Sequence, residues 1–315
     1  MYPIILRRIL LSVALVLAVS VVIFLGLNAL PGDFAATYLG QSATPQAIAN
    51  MRAELGLDRP ATERYFEWLA GALRGDFGVS WATGAVITDQ IGQRLGNTLF
   101  LAAAAAIIAV PLAVGSGMIA VLYRNRWPDK LISIVSLTAI SLPEFFVGYL
   151  LILTFSVQLG VSTFPSTVYE GMDFSQRLSA IVLPTVTLVF GIFAHMMRMT
   201  RAAILQVMTS PYMETAILKG VPPLQAIWRH AAPNALAPII NVVALNLAYL
   251  VVGVVVVEVV FVYPGMGQYM VDAVTMRDMP VVQACGLVFS AIFIFLNMLA
   301  DILSIMFNPK LRHPR

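Results

Sequence analysis

Few ionisable side chains interrupt the apolar stretches of this sequence. Glu144, Glu258 and Asp301 lie within or at the ends of such stretches, and Arg198 and Arg201 lie at the margin of one. On insertion scales a charge at the centre of a membrane helix costs roughly 2.5–3.5 kcal/mol, so each must find a partner, a cavity or an interface. Glu144 follows Ser141 and Pro143, where a broken helix can turn a carboxylate toward a cavity. Glu144 and Glu258 are therefore expected to border a polar path, with a structural partner or an interface as the alternative for either. Asp301 is expected to pair with a basic residue near the end of its span. Arg198 and Arg201 fit a gate, or anchors at a membrane face.

Other chemistries find no constellation. The sequence holds no H-E-x-x-H, G-x-S-x-G or G-x-G-x-x-G, and no phosphate-cradling G-x-x-x-x-G-K-[ST]. His195, His230 and His313 have no Cys or carboxylate at ligand spacing, so neither a metal nor another cofactor is expected. Without a phosphate loop the chain is not expected to be an enzyme, and ATP hydrolysis falls to other subunits.

The elements that must hold these residues follow from composition. Of 315 residues 59% are hydrophobic and 11% charged, with a mean hydropathy of +0.86. A soluble domain carries about a quarter charged residues, so lipid must be the solvent for much of this chain. Six stretches reach the roughly 20 residues a span needs: Ile9–Leu30, Thr98–Tyr123, Leu131–Leu159, Ser179–Met197, Ala235–Val257 and Val281–Phe307. The first is too long for the apolar core of a signal peptide and reads as a retained span. Arg7, Arg8, Arg124, Arg126, Lys130, Arg198, Arg201, Lys219, Arg229, Lys310, Arg312 and Arg315 fall on one side. The short loops opposite hold only Arg177 and Arg277. This bias puts both termini in the cytoplasm. The net charge of +3 is accounted for in this way, with no basic run suited to nucleic acid. The lone Cys285 reads as a small hydrophobe.

The expected architecture is a single all-α membrane domain over 1–315, with an extracytoplasmic helical loop at 31–97. Within that loop Thr44-Pro45 starts a helix that Gly56 stops, and a second follows Pro60 and ends near Gly75. Between the fifth and sixth spans Pro264-Gly265-Met266-Gly267 makes a tight turn before an amphipathic helix.

Thr209–Pro238 is a polar island between two spans. Ser210-Pro211 is read as a hydroxyl cap and first turn, with the helix stopping at Gly220. Val221-Pro222 forces a turn, and a second short helix is expected from Pro223 to Ala232, ended by Pro233. An inert connector would need fewer residues, so the island is read as a plug on which a soluble partner pushes.

Tyr212-x-x-Thr215-Ala216-x-x-Lys219-Gly220, followed by Arg229-His230-Ala231 and Asn234-Ala235-x-x-Pro238, resembles the EAA loop of ABC-importer permeases. The chain as a whole is similar to the B-type permease subunits of dipeptide, oligopeptide and nickel importers, a group that includes glutathione permeases. Supporting motifs occur in order. They include Leu30-Pro31-Gly32-Asp33, Gly75-Asp76-Phe77-Gly78-x-Ser80, Trp127-x-Asp129, Ser141-x-Pro143-x-Phe145, Glu258-x-x-Phe261-x-x-Pro264-Gly265-Met266-Gly267, Arg277-Asp278-x-Pro280, Asn297-x-x-x-Asp301 and Asn308-Pro309.

The resemblance implies a six-span type I importer fold in a bacterial inner membrane, forming half a translocation pore. Its implied partners are a second related permease, two cytoplasmic ATPases and an extracytoplasmic binding protein. Tyr212, Glu214, Thr215, Ala216, Lys219, Gly220 and His230, within a coupling loop at 201–234, would meet the ATPase. Asp76, Phe77, Pro264, Gly265 and Gly267 would face the binding protein. Ser141, Pro143, Glu144, Arg198, Arg201 and Glu258 are the expected path or gate. The implied cargo is a short peptide of the di-, oligopeptide or glutathione kind, with nickel chelates, opines or other small solutes as alternatives. An ATP-independent secondary transporter would show an internal repeat, and none is visible.

Overall fold

Runs that are apolar on every side fold as long helices in lipid, because there the backbone must satisfy its own N–H and C=O groups. The computed structural model describes residues 2–29, 32, 34–40, 43–169 and 171–307. Leu30, Pro31, Asp33 and Glu170 lie outside the described residues, as do Asn308-Pro309 and the basic tail with His313. Along the chain come α1 (Tyr2–Ala29), α2 (Phe34–Leu39), α3 (Pro45–Glu54), α4 (Ala61–Leu73), α5 (Ile87–Leu122), α6 (Trp127–Ser141) and α7 (Glu144–Leu151). They are followed by α8 (Phe174–Ala180), α9 (Val182–Met208), α10 (Pro211–Leu218), α11 (Pro223–Gln225), α12 (Ala232–Phe261), α13 (Met266–Met276) and α14 (Met279–Phe307). The only β pairing among the described residues is an isolated bridge between Val79 and Val86.

Five helices are long and apolar enough to cross a membrane, and six crossings result when one bent pair is counted as a span. That pair corrects the expected straight span over Leu131–Leu159. α6 and α7 meet at a bend of 100°, and α7 runs on as a π-helix over Ile152–Gln158. The cause is local. Pro143 has no N–H to donate, and Leu142 before it is extended, with φ −94° and ψ 128°.

α5, α9 and α12 share the main core, in which Leu101, Ala105, Leu188, Ile192, Val254, Val257 and Phe261 are buried together. Close approach of α5 and α9 depends on Gly117, where a Cβ would stand 3.0 Å from Thr200 Cγ2 and 3.1 Å from the Met197 carbonyl. α14 packs on α12 and α1. The expected partner of Asp301 is Arg8, whose Nη1 lies 2.5 Å from Asp301 Oδ2 across α1 and α14.

The loop after α1 matches its sequence signals closely. Thr44 caps α3 by accepting from the Ala47 N–H at 3.2 Å, and Gly56 and Gly75 adopt the left-handed conformation after α3 and α4. α4 lies against the end of α1: Tyr65 and Trp68 surround Phe24, Tyr65 bonds Ser20 at 2.9 Å, and Arg64 donates to Asn28 at 2.8 Å.

Candidate functional site

The island is built on one buried residue. α10 presents Tyr212, Glu214 and Thr215 as exposed and Ala216 as half-buried, with Lys219 and Gly220 exposed just beyond its end, whereas Met213 is fully buried. Met213 plugs into a cluster of Val121, Ile204, Ala226, Ile227, Ala231 and Ala235, drawn from α5, α9 and the chain that follows α10. Sequence reasoning passed over Met213; its signal was an apolar residue at the third helical position of a short polar helix. Ile217, Leu218, Leu224 and Trp228 are exposed and give the island an apolar outer surface.

Two local expectations change. Ser210 precedes α10, but its hydroxyl donates back to the Val207 carbonyl at 2.5 Å and makes no cap bond to the helix. Pro233 does not end a separate second helix either. α11 passes through a π-helical turn, Ala226–Ala231, directly into α12, so 223–261 is one continuous 39-residue helix. A π turn carries an extra residue per turn and moves the earlier carbonyl out of the proline ring's way. The His230 carbonyl accepts from Asn234 Nδ2 at 2.7 Å and from the Tyr212 hydroxyl at 3.4 Å. His230 thus ties the π turn to α10 through its backbone. Gly220, with φ +79°, makes the turn between the two helices; a Cβ there would meet nothing within 4 Å.

Arg201 is held in an ion pair. Its guanidinium grips Asp129 at the start of α6 with two bonds of 2.9 Å, and Asp129 also accepts the Asn125 N–H at 2.9 Å. Arg198, nearby on α9, is exposed. Ser141 and Pro143 are exposed at the α6–α7 bend, where the Ser141 hydroxyl bonds the Leu137 carbonyl of its own helix. Glu144 opens α7 and is half-buried against α9 and α12.

Glu258 departs from the expectation of a polar path. It is fully buried and braces the turn beyond α12: Oε1 accepts from Thr98 Oγ1 at 2.6 Å, and Oε2 from the Gly267 and Gln268 N–H groups at 2.7 and 3.1 Å. Thr98 Oγ1 in turn accepts the Met266 N–H at 2.9 Å. The carboxylate therefore satisfies the first N–H groups of α13. Gly265 and Gly267 are glycines because a Cβ at 265 would overlap this carboxylate and one at 267 would come within 2.7 Å of Val255. Both are buried. Pro264 is half-buried beside them, its carbonyl accepting from Asn97 at 3.0 Å.

Asp76 and Phe77 lie at the rim of a cleft of about 640 Å³ between the end of α1, α3, α4 and the start of α14. Asp76 is exposed and accepts the Gly78 N–H at 2.9 Å. Arg64 lines the same cleft, its pKa lowered by burial and by the nearby Arg52 and Arg59. Asp278, singled out in sequence only as part of the Arg277-Asp278-x-Pro280 motif, anchors this region: it accepts from Ser80 Oγ at 2.5 Å and from the Trp81 and Ala82 N–H groups, each at 3.2 Å.

Comparison with known proteins gives a consistent answer. A family profile described as "Binding-protein-dependent transport system inner membrane component" matches residues 109–313. A second, "Binding-prot-dependent transport system membrane comp, N-term", matches residues 1–102. The glutathione transport system permease proteins GsiC of Escherichia coli (strain K12) and Shigella dysenteriae serotype 1 (strain Sd197) are each 38% identical over 309 residues, 98% of this chain and 98% of theirs. A solved structure titled for inward-facing conformations of the MetNI methionine ABC transporter shares the fold. Its TM-score is 0.52 at 18% identity, covering 69% of this chain and 96% of that one.

Proposed function

This chain belongs to the binding-protein-dependent transport system inner membrane components and is a multi-pass permease subunit of an ABC importer, and from that membership we infer how its parts are used. α10 docks on a cytoplasmic ATPase through Tyr212, Glu214, Thr215, Ala216 and Lys219, with Gly220 setting its angle. Both termini lie in the cytoplasm, consistent with the Arg8–Asp301 pair joining the start of α1 to the end of α14. At the opposite face a substrate-binding protein meets the cleft at Asp76 and Phe77 and the exposed rim near Pro264. A second, related permease completes the pore. The cargo is a short peptide of the glutathione class, as the names of the relatives suggest. Ser141, Pro143, Glu144 and Arg198 are the remaining path residues.

One observation carries the coupling role. α10 is fixed to the bundle by the buried Met213, yet its Ile217 and Leu218, and Trp228 on the adjacent π turn, are uncovered. A short helix held this way moves as a rigid body with whatever covers it. Co-purification with ATPase subunits, together with vanadate-sensitive peptide uptake by the reconstituted assembly, tests the reading. Uptake that proceeds without the ATPases would overturn it.

A further inference from the structure

Three carboxylates of the described residues in or beside the spans have clear partners. Asp129 is held by Arg201, Asp301 by Arg8, and Glu258 by Thr98 and the α13 N–H groups. Glu144 accepts no hydrogen bond and joins no ion pair among the described residues. It follows the 100° break between α6 and α7, on the same α7 face as the buried Val147 and Gly148. Two glycines from different helices flank it, and Gly191 makes the room for it. A Cβ on Gly191 of α9 would collide with the carboxylate, and one on Gly253 of α12 would stand 3.9 Å from Oε2. The group is half-buried, so it is open to a ligand from one side.

We propose that the Glu144 carboxylate, in its seat between Gly191 and Gly253, is a transit site for the primary ammonium group of the cargo. The inference rests on the peptide-importer reading above and names the cargo group that this site reads. A carboxylate at this depth is costly unless a cation joins it. Among the described residues no group of three or more His, Cys, Asp or Glu gathers that could hold a metal ion. An ammonium is a compact point charge with three donors, so a single carboxylate can hold it. The N-terminal amine of a peptide supplies that group, and acetylation removes it.

The test uses the complete importer in liposomes, with its ATPases and binding protein. Uptake of glutathione is compared with uptake of N-acetylglutathione, each normalised to loaded binding protein. In Glu144→Gln the ratio of free-amine to acetylated uptake is expected to fall about tenfold, the effect of one charge-assisted hydrogen bond. Glu144→Asp is expected to keep part of the ratio. An unchanged ratio in Glu144→Gln overturns the ammonium site while leaving the importer reading intact. If the wild-type importer carries neither peptide, the peptide reading fails and this inference falls with it.

Discussion

Arg201 on α9 and Asp129 on α6 share two hydrogen bonds of 2.9 Å each, and Asp129 is only 5% exposed. The pair fixes the elbow between α5 and α6 to the helix that leads into α10. Removing one partner strands a charge, at a cost of about 3 kcal/mol, the low end for a buried pair because the guanidinium is partly exposed. Asp129→Ala should lower the Tm of the detergent-solubilised protein by several degrees, and Arg201→Lys, which loses the two-pronged grip, should lower it less. The exchange Asp129→Arg with Arg201→Asp should recover part of the loss. A double variant no more stable than the worse single one would refute the pairing.

At Gly220 the obstacle to a side chain is conformational, since φ is +79° and the surrounding space is open. A β-branched residue there costs about 1–2 kcal/mol, whereas Asn tolerates the left-handed region. Gly220→Val and Gly220→Asp should insert normally by membrane immunoblot yet abolish uptake. The Asp variant fails through its negative charge at the C-terminal end of α10. Gly220→Asn should keep most of the transport. Wild-type uptake by the Val variant would remove Gly220 from the coupling role.

Glu258 and Gly265 act on a single seat, so their loss should not add. Glu258→Ala leaves the N–H groups of Gly267 and Gln268 without their acceptor, and Gly265→Ala pushes the carboxylate away from them. Each should destabilise by about 2–3 kcal/mol, with the double variant little worse than either single one. Thermal unfolding of all four proteins reads this cycle, and additive losses would show that the two residues act separately.

The Arg8–Asp301 pair should matter far less. Its side chains are 47% and 39% exposed, so solvent screens it, and Asp301→Asn should cost about 0.2–1 kcal/mol, shrinking further in high salt. A Tm loss as large as that of Asp129→Ala would contradict this ranking.

What the sequence made legible was local. The Thr44 cap, the stops at Gly56, Gly75 and Gly220, and the positions of the spans all depend on residues within a turn or two of one another. What escaped depended on distant partners. Thr98 and Glu258 are 160 residues apart, Asp129 and Arg201 are 72, and Ser80 and Asp278 are 198, so no spacing rule could pair them. Glu258 read as bordering a polar path or meeting a structural partner, and its burial is created by α5 and α13 together. Pro233 read as a stop because the π turn that accommodates it is specified by packing around Ala226, Ile227 and Ala231.

The unbroken helix over 223–261 has a mechanical consequence. Its 39 residues make a rod roughly 58 Å long at 1.5 Å per residue, with no loop between its ends. One end carries Trp228 beside α10, and near the other Glu258 grips the first turn of α13. A tilt of about 5° pivoting at one end would swing the other through about 5 Å, close to one helical turn. A small change of tilt set at one end thus becomes a displacement of side-chain size at the other.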